Sequence, residues 1–434
     1  MSESTPRAIR AEAADAAIFG ASASYGHLCF HACVDLRRRF EAAALERAVE
    51  AMVADFPVMG CRYELHGLRD RWLPVEGPTR DFVHVERLSG DLEAATRAWV
   101  LRELDPLRDR PVRVVSLEHG GGCRLLVSLL HIAVDGGGAM AVARALAGHL
   151  YGVPEPLPVE RRRDMWQAFE RLRGAHWIVL GAAMFAQVFR PLTVFAVPRR
   201  VRDFERTPSG DGEPCWRQVA LTVEQTERLK ARLKAQGATL NDGLLAALAR
   251  VAVARSDRGP AAVTYTIDLR RYTQPPRLIA TNISGIAIAV IDRDKAGDLD
   301  TAAQAMRAVT QRQSANLSGL SFSMMPALNS LWTPHALIRA ILPPVMKLSV
   351  DPPFRRALMV TNVGRLDEGL AAFGDDIEAI SIIGPCLRNS PLPPIAAVGF
   401  RGQLLLQIYG PPGLTPEALE RYEVELREAL ELEG

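Results

Sequence analysis

Several things are missing from these 434 residues, and each absence closes off a class of function. There is no excess of either charge: 52 Lys and Arg stand against 50 Asp and Glu, a net of +2. That gives no electrostatic case for nucleic acid as the main partner. No Gly-Lys-Ser/Thr occurs, nor a Gly-x-Gly-x-x-Gly after a strand, so no phosphate-cradling loop is present. Cysteine is sparse and scattered (Cys29, Cys33, Cys61, Cys123, Cys215 and Cys386), in a chain too large to need staples. Free thiols in a reducing cytoplasm are the expectation. The stretch Met1 to Ala17 holds Glu3, Glu12 and Asp15 and no apolar segment, which does not read as a signal peptide. No carrier domain with a phosphopantetheine serine is visible.

What is present is a soluble globular composition, 48% hydrophobic and 24% charged, long enough for two or three domains. Residues 25–36 alternate as a strand, with His27, Cys29, His31 and Cys33 on one face and Leu28, Phe30, Ala32 and Val34 on the other. Same-face neighbours on a strand lie roughly 6.5 Å apart, so one strand cannot wrap four ligands around one ion. No metal is expected; the face is either half-polar or places His31 in a cavity. Residues 41–54 have the stripe of an amphipathic helix (Ala44, Leu45, Val49, Met52, Val53), stopped by Phe56-Pro57. Val58 to Leu65 returns as a strand. A further helix spans 91–103, and 112–117 with 124–130 form a hairpin.

Gly152, Pro154, Pro156 and Pro158 mark a linker over 152–163. From Gly174 to Pro198 the only charge is Arg190, between basic flanks (Arg171, Arg173; Arg199, Arg200, Arg202). Arg190-Pro191 interrupts it short of the roughly 20 apolar residues of a spanning helix. Two readings compete: a bridge between domains, or a peripheral membrane contact through 174–198. After a loop at 207–215, Thr222 with Gln225 forms a capping-box pattern, and Gly243 to Arg255 is apolar on nearly every side. Strands follow at 261–269 and 283–291, helices at 300–316 and in pieces over 320–348, strands at 357–362, 377–383 and 395–409, and a last helix at 416–432.

The densest chemistry lies in Leu129-Leu130-His131-Ile132-Ala133-Val134-Asp135-Gly136-Gly137-Gly138. A histidine closes an apolar strand, where a tight turn would push it into a cleft. Asp135, four residues on, cannot easily reach the same imidazole and is better placed to pair with a distant Arg and fix the loop. The glycines permit close approach, and the following helix offers its N-terminal amides. A base beside free amide donors suits acyl transfer: histidine takes the proton of an attacking hydroxyl or amine, and the amides steady the oxyanion.

This stretch resembles the His-His-x-x-x-Asp-Gly motif of the CoA-dependent acyltransferase superfamily. That superfamily includes chloramphenicol acetyltransferase, condensation domains of peptide synthetases, alcohol acyltransferases, polyketide-associated acyltransferases and wax ester synthases. Asp55-Phe56-Pro57, Asn241-Asp242-Gly243, Asp268-Leu269-Arg270, Asn282-Ile283-Ser284-Gly285 and Thr361-Asn362-Val363-Gly364 resemble further family segments in the same order. The first motif His is Leu130 here. The resemblance implies an α/β (α+β) fold of two chloramphenicol-acetyltransferase-like lobes with a central tunnel: lobe 1–163, a bridging segment 164–215 and lobe 216–434. It implies His131 as general base, Gly136 as oxyanion amide, and Asp135 paired structurally with Arg270. Gly137, Asn282, Ser284, Thr361 and Asn362 would contact substrate, with His31 lining the cavity. No bound cofactor is implied. Acyl-CoA or an acyl carrier protein in trans would supply the thioester, and a small-molecule alcohol or amine would accept the acyl group. The other reading is a non-catalytic relative that serves as a binding partner in a biosynthetic pathway.

Overall fold

Two mixed sheets, each covered by helices, carry the chain. The computed structural model describes residues 8–432 apart from 27, 195–200, 203, 206, 208–211, 274, 350–356, 386 and 388–391. The first sheet has five strands in the order 377–383, 29–36, 122–130, 112–119 and 83–87. Its central hairpin, Val112–His119 with Gly122–Leu130, is buried on both faces because both are covered. Helices Ala42–Asp55 and Gly136–Tyr151 pack together over one face. Leu45, Ala48, Val49 and Met52 form the buried stripe of the former. Trp99 and Val100, from helix Leu92–Val100, cover the opposite face with Val115, Leu117 and Leu126.

The second sheet has six strands in the order 284–291, 261–268, 358–365, 395–400, 403–410 and 215–221. Helix Leu240–Ala254 lies against it, buried along most of its length. Its uncharged run is therefore core, and Thr239 with Asp242 closes a capping box at its start. The Thr222–Gln225 box forms as the spacing predicts.

Three local expectations change. Helix Ala13–Tyr25 precedes the first long strand and ends at Gly26, whose φ of +82° stops it, so the strand starts at Cys29 and not at residue 25. Pro57 opens a 3-10 turn, Pro57–Gly60, which delays the next strand to Cys61–Glu64. The linker 152–163 is not structureless: Val159–Glu160 pairs in parallel with Leu278–Ile279. The halves also interlock, because strand Ile377–Ile383, from the second half of the sequence, pairs antiparallel with Cys29–Leu36 of the first.

Within 174–198, residues Ala175–Val194 form one helix, and 195–198 lie outside the described residues. Among the described residues no helix is long and apolar enough to cross a membrane. His27, on the expected polar strand face, is likewise outside them. None of the described Cys29, Cys33, Cys61, Cys123 and Cys215 forms a disulfide.

Candidate active site

The central strand Gly122–Leu130 runs out where two backbone bonds close it. Leu130 N–H donates to the Pro111 carbonyl (2.9 Å) and His131 N–H to the Leu28 carbonyl (2.7 Å). The chain then leaves the sheet through the turn at residues 131–133. Asp135 caps the helix Gly136–Tyr151, its Oδ1 accepting from Gly138 N–H at 2.8 Å. That leaves the Gly136 and Gly137 amides, which no helix can satisfy from within, at the positive end of a 16-residue helix.

Asp135 is held from the other half of the chain. Its Oδ2 accepts from Ile283 N–H (2.8 Å) and the Ser284 hydroxyl (2.6 Å), and Arg270 Nη2 lies 2.8 Å from Oδ1. Arg270 donates as well to the carbonyls of Ile279 (3.0 Å) and Thr281 (2.7 Å). Asp135 is buried and Arg270 largely so, with 3% of the Asp135 side chain and 13% of the Arg270 side chain exposed. Burial opposes the Asp135 charge. The Arg270 cation, the Ser284 hydroxyl and the Gly138 amide outweigh it and hold the carboxyl below the usual carboxylate range. Burial likewise opposes the Arg270 charge, and Asp135 and Asp268 outweigh it, raising its pKa.

This clamp explains the glycines. A Cβ on Gly137 would sit 2.5 Å from Arg270 Nη1, and one on Gly138 would sit 3.0 Å from the Thr281 carbonyl oxygen. Gly136 is different, since the nearest atom to a Cβ there is Val363 Cγ2 at 3.8 Å. Gly137→Ala is therefore expected to displace Arg270 and to cost about 1–3 kcal/mol in urea unfolding. Gly136→Ala should stay within about 1 kcal/mol of the parent. Equal midpoints for the two variants would show that the guanidinium does not require glycine at 137.

His131 is placed differently from Asp135. Its ring meets Phe30 edge to face at 5.6 Å, and its Nδ1 is enclosed without a hydrogen-bond partner. No described residue bonds to the ring, so Nε2 too carries no hydrogen bond among the described residues. Asn282 Nδ2 donates at 3.0 Å to the carbonyls of both His131 and Ile132, which fixes the turn that aims the ring.

The expected substrate contacts divide. The amide N–H groups of Asn282 and the Ser284 hydroxyl are spent on protein: they hold the turn and Asp135. Gly137 faces Arg270. His31 corrects the cavity expectation. It is 3% exposed, shares a 2.8 Å hydrogen bond with Ser128 Oγ, and burial with the nearby Arg113 pushes its pKa down to about 3. It is a neutral core histidine. Thr361 and Asn362 lie on strand Leu358–Arg365, half-buried and exposed. The register shifts there between Asn362 and Gly364, with Gly364 at φ +89°, and Val363 reaches the helix start at Gly136. Asn362 Oδ1 accepts from Gly364 N–H (2.9 Å) and so shapes this irregular strand end.

Sequence reasoning misses a second layer. Asp15, fully buried, accepts from Trp72 Nε1 (2.9 Å) and from Arg163 (3.0 and 3.1 Å). Arg163 donates to the Ala280 carbonyl, and its own carbonyl accepts from the Thr281 hydroxyl. The segment that holds Arg270 is thus anchored to the first helix. Nothing in the run Arg161-Arg162-Arg163 marks the third arginine as the buried one.

No family model matches the chain. An uncharacterized protein of Mycobacterium tuberculosis is 27% identical over 411 residues, 90% of this chain and 92% of that one. Among solved structures, the chain is similar to polyketide synthase associated protein 5 of M. tuberculosis (TM-score 0.66, 16% identity, 97% of this chain and 98% of that one). It is also similar to a trichothecene 15-O-acetyltransferase of Fusarium sporotrichioides (TM-score 0.70, 12% identity, 98% and 95%). A third likeness is to the first condensation domain of the CDA synthetase (TM-score 0.67, 16% identity, 99% and 97%). The fold is that of condensation domains and acyltransferases.

Proposed function

We propose that this protein transfers an acyl group from a thioester to a hydroxyl or amine, with His131 as general base. The observation that carries this reading is the division of labour at the strand end. Asp135 is wholly committed to Arg270, Ser284, Ile283 and Gly138, while no described residue bonds to the His131 ring. The acceptor proton passes to Nε2, the freed oxygen or nitrogen attacks the thioester carbonyl, and the Gly136 amide steadies the oxyanion. The C–S bond then breaks, and the imidazolium returns its proton to the thiolate. Lobes 1–163 and 216–434, bridged by 164–215, supply the two walls of the site. Thr361 and Asn362 stand where a substrate would pass the helix start. The donor is acyl-CoA or an acyl carrier protein in trans, and no resident cofactor is needed. The fold neighbours, which include an O-acetyltransferase and a condensation domain, support this class of reaction.

One observation favours a second reading, a binding partner without turnover. Leu130 stands at the first histidine of the motif and is buried in the apolar core, so no polar neighbour assists His131 from there. The test is an assay of free thiol and of product mass over a panel of acyl-CoAs, carrier-bound thioesters, alcohols and amines. Acceptor-dependent thiol release is the expected result. Tight thioester binding with no acceptor-dependent release from either donor would establish the second reading.

A further inference from the structure

Two segments distant in sequence form neighbouring helices whose exposed residues, among those described, are nearly all apolar. Helix Ala175–Val194 packs on helix Ser318–Trp332, which leads through residues 333 and 334 into helix His335–Ser349. The last packs in turn against helix Ala13–Tyr25. On the first, Trp177 and Ile178 are exposed, Ile178 by 76%. At the end of the second, Trp332 is 81% exposed. On the third, Leu337 and Ile341 are exposed one turn apart, with alanines and a proline in the other exposed positions between Ala336 and Pro344. A helix facing water carries charge on that face.

The third helix is not a loose element awaiting a place in the core. Asp70, fully buried, accepts from Tyr63 Oη (2.7 Å), His66 N–H (2.7 Å) and Arg339, and its own N–H donates to His335 Nδ1 (3.1 Å). Arg69 donates to the Leu331 carbonyl (2.9 Å) and to that of Thr333. The helix is thereby moored with its apolar face outward.

Along the sequence of these segments basic residues outnumber acidic ones, although the whole chain is nearly neutral. From Arg171 to Arg202 there are six arginines and no Asp or Glu. From Ser318 to Ser349 there are Arg339 and Lys347 and again no acid. Arg339 is spent on Asp70, which leaves Arg171 and Arg173 before the first helix and Arg69 beside Trp332 with no acidic partner among the described residues. Apolar faces beside such cations match a surface with an apolar interior and anionic phosphates. The inner side of the second helix touches the candidate site: Ser323 Oγ donates to the Ser284 carbonyl (3.4 Å), and Gly319 lies so close to Gly285 that a Cβ there would be 2.5 Å from its oxygen.

We propose that these three helices seat the protein on an anionic lipid bilayer, with Trp177, Ile178, Trp332, Leu337 and Ile341 in the interfacial layer and Arg171 and Arg173 at the lipid phosphates. The surface stands independently of acyl transfer. The full chain is floated with vesicles of phosphatidylcholine alone or mixed with phosphatidylglycerol. It should rise with the mixed vesicles at low salt and less so at high salt. The double variant Ile178→Asp/Ile341→Asp, folded by circular dichroism, should lose about tenfold or more of the bound fraction. A parent that stays at the bottom with both vesicles, or a double variant that floats equally well, overturns the proposal. So does light scattering that shows a dimer abolished by the same substitutions while the parent does not float, since the face would then belong to a second copy.

Discussion

His131→Ala is expected to lower kcat/KM for acyl transfer by about 10²–10⁴-fold, or roughly 3–5 kcal/mol of transition-state stabilisation. The same substitution should barely disturb folding. The imidazole makes no hydrogen bond to a described residue, and its main contact is the edge of Phe30. Such a ring contact contributes about 0.5–1.5 kcal/mol. Activity and stability therefore separate at this position. Steady-state assays and urea unfolding on the same preparation test both halves of the expectation. Turnover at the parent's rate would remove His131 from the chemistry. A loss of activity that tracks a large loss of stability would reduce it to a packing residue. Because Asp135 is engaged with Arg270, Asp135→Asn acts by loosening the loop and not by weakening an imidazole–carboxylate pair.

The candidate site was legible where a residue conflicts with its surroundings. A histidine after six aliphatic and small residues, then an aspartate and three glycines, cannot be explained by a strand or by a helix alone. The turn and the helix start follow from that conflict. The partner of Asp135 was expected from the resemblance, and the Asp135–Arg270 ion pair matches it. Small polar residues were not legible in this way. Ser284 and Asn282 sit at a strand start whether they face a ligand or the protein, and only the fold shows that they face Asp135 and the turn. His31 failed as a cavity residue for the same reason: strand alternation says which face a side chain takes, not what covers that face.

Long-range pairing was equally silent. The strand 377–383 reads as apolar, and its partner at 29–36 carries no complementary mark, so the interlocking of the halves emerges only in the fold. Helix Ala13–Tyr25 is built of Ala, Gly and Ser around a few large residues, which blurs the apolar stripe that identifies the helix at 42–55. Its buried Asp15 then looks like one more surface acid.

Arg270→Met is expected to destabilise the protein by about 3–5 kcal/mol at pH 7, because it strands a buried carboxylate. The sign of its pH dependence distinguishes this from a simple loss of packing. In the parent, Asp135 has a folded-state pKa held below its unfolded value, so its contribution is fully present above the unfolded pKa and is lost as pH falls through the folded one. Removing the guanidinium leaves burial opposed only by Ser284 and two backbone amides, and the carboxyl's pKa moves up. Acid then neutralises the stranded charge in the variant at a pH where the parent is still ionised. The deficit relative to the parent should accordingly shrink between pH 7 and about pH 4.5. Asp135→Asn placed on top of Arg270→Met should recover about 1–3 kcal/mol at pH 7, since asparagine still caps the helix and carries no charge. Urea unfolding of the three proteins at the two pH values measures all of this. A deficit that is the same at both, or one unaffected by the second substitution, would mean that Arg270 supports the lobe contact by shape and by its bonds to the Ile279 and Thr281 carbonyls, and that its charge beside Asp135 is incidental.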